Sequence, residues 1–326
     1  MDDGETAFIR RHLAPLAHPG AQGFRDDAAV LTASAGTDHV VTADMLVAGS
    51  HFLPDDDPAD IAIKAITANL SDLTAKGADP IGYTVSLAFA EPPDDGWMAA
   101  FASGLSRDAN GLLLGGDMIR GAERFTVAVT AFGAVPAGRA VRRSGAGVGD
   151  TVCLGPGTIG TSGFGLRVAS DPAWAATLGL PQAALRELAK AYRAPTCTAP
   201  DRTARLVRDH ASASMDVSDG LVIDLRRLCA ESAVGARIDA DRVPLHHSVR
   251  ASIDHGHWRL EDALSAGDDY LVLFTAPGGA LPDGRFCTPI GTVVEACEGV
   301  TFVRADGSPL PIAGAGGWTP FAARAR

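Results

Sequence analysis

The sequence predicts an α/β (α+β) fold that is divided into two domains. Alternating apolar residues indicate strands near 39–45, 81–89 and 124–133, with helical patterns between them. A glycine-rich stretch at 144–150 interrupts this pattern, and strands and helices then start again. We therefore predict an N-terminal domain over 1–143 and a C-terminal domain over 144–326.

The clearest helix boundaries lie in the first domain. A helix is expected over 57–77, with Asp57 as its N-cap, Pro58 in its first turn and Gly77 at its C-terminal end. A second helix follows in the stretch 94–111, where large apolar residues recur at helical spacing.

The second domain mixes both kinds of element as well. In chain order we expect a strand at 151–154, helices near 161–169, 181–192 and 201–210, a strand at 214–217, a helix at 220–232 and a strand at 270–275. The "GPGTIG" loop at 155–160 matches a dinucleotide-binding pattern, but no strand with a terminal acidic residue follows at the required distance. A tight glycine turn that opens a helix is the favoured interpretation.

Composition limits the classes of function. The chain has 326 residues, of which 46% are hydrophobic, so it can bury a substantial core. Its formal net charge of −11 disfavours nucleic acid or an anionic membrane as a partner. An acidic protein that binds phosphates needs cations, which points toward divalent metal ions.

The cysteines and the N-terminus bear on location. The five cysteines are scattered and form no CxxC motif, as is typical of a reducing cytoplasm. The first residues are acidic and then amphipathic, unlike a signal peptide, and no apolar run approaches transmembrane length. We therefore expect a cytoplasmic protein.

The most informative motif is "SMDVSDGL", which places Asp216 and Asp219 where a strand passes into a helix. One interpretation is that Asp219 or Ser218 caps the helix, which typically contributes about 1 kcal/mol. Capping leaves Asp216 unexplained, because a carboxylate in a buried strand needs a cation or hydrogen-bond donors. The alternative is that both aspartates hold a metal ion or contact a phosphate.

Other acidic residues stand beside glycine or small residues, where a ligand can approach closely. They are Asp26 and Asp27, Asp44 at a predicted strand end, Asp72 in the first helix, Asp117 after two glycines at a strand end, and Asp268 and Asp269 at a predicted strand start. Carboxylates with few basic neighbours suit Mg²⁺, which prefers hard oxygen ligands and bridges carboxylates to phosphates. Several such residues suggest more than one ion and a polyphosphate ligand.

Two of the remaining patterns leave alternatives open. Asp72 shares a helix stripe with Ala65, Asn69 and Lys76, which is either a solvated face or the wall of a site. His51 closely follows Asp44 and fits a ligand contact or an ordinary loop position. The remaining histidine cluster (His246, His247, His255 and His257) is interpreted as a surface loop rather than a metal site.

Eight short stretches, taken together, resemble thiamine-monophosphate kinases of the aminoimidazole ribonucleotide synthetase superfamily. They are "DDAAV", "TADMLVAGSHF", "KAITANLSDLTAKGADP", "GGD", "RRSGAGVGD", "SMDVSDGL", "GDDYLVLFT" and the terminal "GGWTPF", in that order along nearly the whole chain. The resemblance implies ATP-dependent phosphorylation of thiamine monophosphate to thiamine diphosphate with several Mg²⁺ ions. It also implies a homodimer built on half-barrel N-terminal domains.

The resemblance further implies roles for individual residues. The implied metal ligands are Asp27, Thr42, Asp44, Asp72, Asp117, Asp216 and Asp219; the implied ATP contacts are Gly116, Asp117, Arg143 and Ser218; the implied substrate contacts are His51, Asp268 and Trp318. Trp318 would stack on an aromatic ring of thiamine. No residue is expected to act as a general base or nucleophile, because the acceptor is itself an anionic phosphate.

The chain departs from the family pattern at a few positions. Arg25 stands where glycine is usual, Lys76 where methionine is common, and Pro320 where a histidine is expected. Asp268 and Leu271 replace two glutamates, which makes the substrate contacts the least secure part of the resemblance. Two alternatives to the kinase are a hydrogenase-maturation or selenophosphate-type synthetase and a non-catalytic nucleotide- or metal-binding module.

Overall fold

The computed structural model describes residues 9–21, 24, 28–29, 31–109, 111–278, 281 and 286–318. The chain forms two compact units: a first unit of Met1–Leu73 with Ala78–Ala140, and a second unit of Thr74–Gly77 with Val141–Arg326. Both units mix helices and strands, so the predicted fold class is confirmed. The domain boundary after residue 143 stays a prediction.

The first unit contains one four-stranded sheet and two long helices. Its elements are β1 (Thr37–Val47), α1 (Pro58–Ala75), β2 (Asp79–Phe89), α2 (Asp95–Ala109), β3 (Leu113–Arg120) and β4 (Thr126–Pro136). The strand order is β1-β4-β2-β3. Strand β4 pairs antiparallel with β1 and β2, and β3 pairs parallel with β2.

Only one face of this sheet is covered by the helices. Along β2 the side chains of Tyr83, Val85 and Leu87 are buried with those of α1 and α2, because successive strand residues alternate between faces. The opposite face leaves Val41 57% exposed and Met45 65% exposed. In the described residues this face therefore carries exposed apolar side chains.

Two local predictions about the ends of α1 are confirmed. Asp57 Oδ1 accepts the N–H of Ala59 at 2.8 Å just before α1, and Gly77 ends the helical stretch with φ +73°. Two others are wrong. Asp44 and Asp117 were expected at strand ends, but β1 and β3 run three residues beyond them because backbone pairing continues there.

The second unit is built on a six-stranded sheet. Its elements are β5 (Thr151–Leu154), α3 (Thr161–Ser170), α4 (Pro172–Thr177), α5 (Gln182–Arg193), α6 (Pro200–His210), β6 (Ala213–Asp216), α7 (Leu221–Ser232), β7 (Gly235–Asp239), α8 (His247–Asp254), α9 (Leu260–Ser265), β8 (Val272–Ala276), β9 (Thr288–Val294) and β10 (Val300–Val303). The strand order is β10-β7-β9-β5-β8-β6. In the described ranges of the chain, every helix is too short or too polar to cross a membrane.

Candidate active site

Thr42 and Asp72 meet in the first unit. The hydroxyl of Thr42 on β1 donates a hydrogen bond to Asp72 Oδ2 on α1 at 2.5 Å. Asp44 lies two positions along β1 on the same face of the sheet. The structure therefore gathers three of the implied ligands, all with oxygen donors, on the helix-covered face.

The stripe of α1 that carries Asp72 is not a solvated face. Ala65 and Asn69 on this stripe are 0% exposed, and the amide of Asn69 donates to the carbonyl of Ala65 at 3.0 Å. Asp72 itself is half-buried. The solvated-face alternative is wrong, because α1 is buried on nearly every side.

Asp117 lies apart from that group, on edge strand β3. Its register partner is Ser86, so it projects from the opposite face of the sheet, and it is exposed. A cavity of about 600 Å³ follows this edge, lined by Gly115, Gly116 and Asp117 together with apolar side chains of the first unit. The implied ATP contacts Gly116 and Asp117 thus border this cavity.

Three further implied residues have less informative positions. His51 is half-buried, and its Nδ1 accepts the N–H of Val47 at 3.2 Å, which fixes the ring beside the end of β1. Arg143 is exposed in the second unit. Asp27 lies outside the described residues. So do Arg25 and Pro320, two of the positions that depart from the family pattern.

The "SMDVSDGL" segment forms the end of β6, a short loop and the start of α7. Asp216 is the last residue of β6 and is 7% exposed, while Ser218 and Asp219 are half-buried. The predicted capping role of Asp219 or Ser218 is wrong. Gly220, with φ +126°, holds the N-cap position and makes no side-chain cap bond.

Asp224, which the sequence patterns did not indicate, binds the loop that precedes the helix. Its Oδ2 accepts the backbone N–H groups of Ser218, Asp219 and Gly220 at 3.1, 2.9 and 3.2 Å. Burial raises the pKa of Asp224 to about 6, although Arg227 and the N–H donors oppose that shift. An aspartate one turn into the helix was the available signal, because it can reach back to the preceding loop.

Asp268 and its neighbours form a strained turn before β8, not the start of the strand that was predicted. Asp268 and Tyr270 have φ values of +65° and +50°, which non-glycine residues rarely adopt. The Tyr270 hydroxyl donates to Asp268 Oδ1 at 3.0 Å, and the Asp268 N–H donates to the Ser218 carbonyl at 2.8 Å. These bonds hold the strained backbone and orient the Asp268 carboxylate.

Asp269 binds the glycine-rich loop instead of facing a ligand. Its carboxylate accepts the N–H of Gly160 at 2.6 Å and of Ser162 at 3.2 Å, at the start of α3. Gly160 has φ +74° directly before that helix, which confirms the prediction of a glycine turn that opens a helix. Desolvation of the carboxylate raises the pKa of Asp269 to about 8, although the backbone donors oppose that shift.

The substitution Asp269→Asn is expected to flatten part of the pH dependence of stability. Folded Asp269 keeps its proton up to about pH 8, whereas an unfolded aspartate loses it near pH ~4. Between these values the folded state binds more protons, so wild-type stability falls as pH rises. Urea unfolding should show a larger wild-type advantage over Asp269→Asn at pH ~5 than at pH ~8.5. Parallel stability profiles for the two proteins would contradict this assignment.

Trp318 is placed through its backbone. Its N–H donates to the Asp219 carbonyl at 3.0 Å, and its side chain is 47% exposed. Arg226 on α7 holds the preceding residues, because its Nη1 donates to the carbonyls of Gly314 and Ala315 at 3.2 and 2.7 Å. An indole fixed at its backbone and open on one side can stack on an aromatic ligand.

The histidine cluster of the second unit has structural contacts. His246 Nδ1 accepts the N–H of Ser248 at the start of α8, and His255 Nδ1 bonds to the Ala251 carbonyl at 2.7 Å. Across the described ranges, no three His, Cys, Asp or Glu side chains form a ready-made metal site. Any ion held by the aspartates would therefore need further oxygen ligands, as phosphates and water supply for Mg²⁺.

Comparison with known proteins assigns the chain to a family. Models of AIR synthase related protein match residues 25–135 with their N-terminal domain and 147–303 with their C-terminal domain. The thiamine-monophosphate kinase of Salmonella typhimurium is 39% identical over 324 residues, covering 95% of this chain and 96% of the relative. The chain belongs to the thiamine-monophosphate kinase family. The Escherichia coli (strain K12) member is 36% identical over 96% of this chain and 97% of its own length.

Solved structures agree with this assignment. A ThiL structure complexed with AMPPCP and TMP has a TM-score of 0.76 and 30% identity, covering 91% of each chain. The thiamine-monophosphate kinase of Stenotrophomonas maltophilia has a TM-score of 0.75 and 34% identity, covering 88% of this chain and 90% of that one. Hydrogenase maturation protein HypE in complex with ATP has a TM-score of 0.72 at 19% identity, covers 96% of each chain, and shares the fold alone.

Proposed function

We propose that this protein transfers the γ-phosphoryl group of ATP to thiamine monophosphate and so forms thiamine diphosphate, the last step of that cofactor's biosynthesis. The observation that carries the proposal is the similarity to thiamine-monophosphate kinases over 95% of the chain. The family models match 25–135 and 147–303, which include all the implied site residues except Arg143 and Trp318. The related ThiL structure complexed with AMPPCP and TMP supports the same pair of reactants.

The cavity of the first unit supports ATP as the phosphoryl donor. Its volume of about 600 Å³ lies within the range of ligand pockets, and its lining is mostly apolar, as suits a nucleobase. Gly116 and Asp117 on its rim, with Arg143 and Ser218 of the second unit, are the proposed ATP contacts. Exposed glycine backbone on that rim allows close approach of a phosphate chain.

The proposed magnesium ligands are Asp27, Thr42, Asp44, Asp72, Asp117, Asp216 and Asp219. Carboxylate and hydroxyl oxygens are the donors that Mg²⁺ prefers, and the set contains no histidine or cysteine that would select a softer metal. The separation of Asp117 from the Thr42–Asp72 pair on opposite faces of the sheet supports more than one ion. When bound, the ions would neutralise the charge of the phosphate oxygens.

The proposed substrate contacts are His51, Asp268 and Trp318. The Asp268 carboxylate lines a cavity of about 140 Å³ in the second unit and is oriented by Tyr270. Trp318 offers an exposed ring face for stacking on thiamine. Asp268 is one methylene shorter than the glutamate usual in the family, so we expect its contact with the substrate to be longer or mediated by water.

The reaction needs no residue to activate the nucleophile. The acceptor phosphate is already anionic at neutral pH, so repulsion between two anions is the main barrier, and positioning with charge neutralisation lowers it. The protein's side chains hold the two phosphates in line and exclude competing geometries. We therefore propose direct in-line transfer with no phosphorylated enzyme intermediate and no dedicated base.

The test is an assay with ATP, Mg²⁺ and thiamine monophosphate. Formation of thiamine diphosphate, with unphosphorylated thiamine inert as acceptor, is the expected result. ATP made chiral at the γ-phosphorus should give inverted product, because a single in-line transfer inverts the configuration. Binding of AMPPCP without turnover would favour a non-catalytic module, and retained configuration would overturn the direct transfer.

We also propose a homodimer that forms through the uncovered sheet face of the first unit. Val41, Met45 and Ile119 are 57%, 65% and 55% exposed on the described surface, and β1 and β3 are both edge strands. Burying these side chains against a second copy removes apolar surface from water. Edge strands such as β1 and β3 are also suited to association between copies.

The substitution Met45→Asp is expected to convert this dimer to monomer, because it would bury an unpaired charge at the interface. Sedimentation velocity at micromolar concentration measures the change. Val148→Asp, an exposed apolar residue of the second unit (55%), is the matched control and should stay dimeric. A Met45→Asp protein that sediments as a dimer would refute this interface, and a monomeric wild type would refute dimerisation.

A cytoplasmic location stays a prediction. In the described residues the five cysteines are free thiols, which supports a reducing compartment.

A further inference from the structure

Asp224 on α7 organises the loop that carries Ser218 and Asp219. It is 0% exposed, and its Oδ2 accepts three consecutive backbone N–H groups, those of Ser218, Asp219 and Gly220. These N–H groups precede a helix and have no partner within it. Burying them without a hydrogen bond would cost free energy, and the Asp224 carboxylate supplies that bond. The backbone of this loop therefore takes its shape from a residue that is not one of the proposed ligands.

Arg227 connects this buried carboxylate to Asp219. Its Nη1 donates to Asp224 Oδ1 at 2.8 Å and also to Asp219 Oδ2. The guanidinium supplies the counter-charge that a fully buried carboxylate requires. In the described part of the chain, Asp219 Oδ1 has no hydrogen-bond partner, and the Asp219 side chain is 21% exposed. One oxygen of Asp219 is therefore fixed, and the other is accessible from solvent.

We propose that Asp224 and Arg227 are positioning residues, which present Asp219 to a divalent cation through a single free oxygen. The inference rests on the proposed function, in which Asp219 is a metal ligand. Asp224 sets the backbone of the loop and Arg227 sets the rotamer of the Asp219 side chain. Such outer partners lower the cost of ordering a ligand and typically change metal affinity or activity by about 10–100-fold.

The same contacts are also compatible with an inhibitory role of Arg227 in metal binding. A guanidinium beside Asp219 could compete with a cation for the same carboxylate. In that case removal of Arg227 would strengthen metal binding. We favour positioning, because Arg227 shares the same Nη1 between two carboxylates and contacts only one oxygen of Asp219.

The neighbouring Arg226 provides a matched control on the same helix. It donates to the carbonyls of Gly314 and Ala315 and makes no bond to Asp219 or Asp224 in the described residues. Its contacts hold the segment that leads to Trp318. Arg226→Gln should therefore raise KM for thiamine monophosphate and leave metal affinity unchanged. Arg227→Gln should weaken metal binding and leave this KM unchanged.

The experiment measures Mn²⁺ binding by electron paramagnetic resonance in the presence of AMPPCP. Arg227→Gln should weaken binding of at least one Mn²⁺ ion by about 10-fold or more, and Arg227→Lys should restore it only in part, since lysine lacks the guanidinium fork. Equal or tighter Mn²⁺ binding by Arg227→Gln overturns the proposal. A wild type that binds no Mn²⁺ instead overturns the metal assignment in the proposed function.

A second measurement needs no metal. Hydrogen exchange in the metal-free protein should show faster exchange at residues 218–220 in Asp224→Asn than in wild type, because the amide of asparagine cannot serve three N–H donors and Arg227 equally well. Unchanged exchange in a folded Asp224→Asn protein would contradict the role of Asp224. If this variant does not fold, exchange and Mn²⁺ binding in Arg227→Gln, whose arginine is 35% exposed, still decide the question.

Discussion

Replacement of Asp216 by asparagine is expected to leave the fold intact and to lower kcat by about 1,000-fold or more, equivalent to ~4 kcal/mol in the barrier. Asp216 ends β6 with its backbone paired to Val272, and this pairing does not depend on the side-chain charge. Asparagine keeps the size of the side chain and removes the anionic oxygen that a magnesium ion requires. Steady-state assays with saturating ATP and thiamine monophosphate measure the loss.

The control for this prediction is Asp254→Asn, which removes a charge from an exposed position at the end of α8 in the same unit. It should keep wild-type turnover. Circular dichroism and urea unfolding should show both variants folded. If Asp216→Asn unfolds while the remaining folded fraction keeps full activity, the carboxylate has a structural role and the metal assignment is wrong.

The fold class could be predicted from the sequence because its helices and strands are marked by local residue patterns. Alternation along β1, β2 and β4 and the cap of α1 at Asp57 depend on neighbouring residues, which sequence patterns capture. Strand ends could not be predicted in the same way. The strands continue past Asp44 and Asp117 because distant strands pair with them, and this pairing overrides the local signal of a polar residue.

The candidate site divides along similar lines. Residue type and spacing indicated Asp72 and Asp216, and the structure places both in buried or half-buried positions. The supporting residues Asp224, Arg227 and Tyr270 were missed, since their roles depend on side chains that reach back to a loop or across a strained turn. No periodic pattern reveals the positive φ at Asp268 and Tyr270, because such strain is stabilised by the surrounding tertiary contacts.

The glycine pair on β3 gives the second large prediction. A Cβ added at Gly116 would lie 1.8 Å from the carbonyl oxygen of Val85, its register partner on β2, whereas a Cβ at Gly115 would meet nothing within 4 Å. Neither glycine has a positive φ among the described backbone angles, so strain of the residue's own backbone does not distinguish them. The two glycines differ only in how closely β2 approaches β3 at each position.

We therefore expect Gly116→Ala to lower the free energy of unfolding of the first unit by about 3 kcal/mol or more, since the clash is with backbone and the strands must separate. Gly115→Ala should stay within about 1 kcal/mol of wild type, with a small gain from a less flexible unfolded chain. Urea unfolding measures both.

Because Asp117 follows directly and lines the same cavity, Gly116→Ala should also weaken AMPPCP binding, measured by calorimetry under conditions where the variant is folded. Equal stability of the two alanine variants would show that β2 and β3 can move apart at no cost. The close contact at Gly116 would then not hold this edge of the cavity in place.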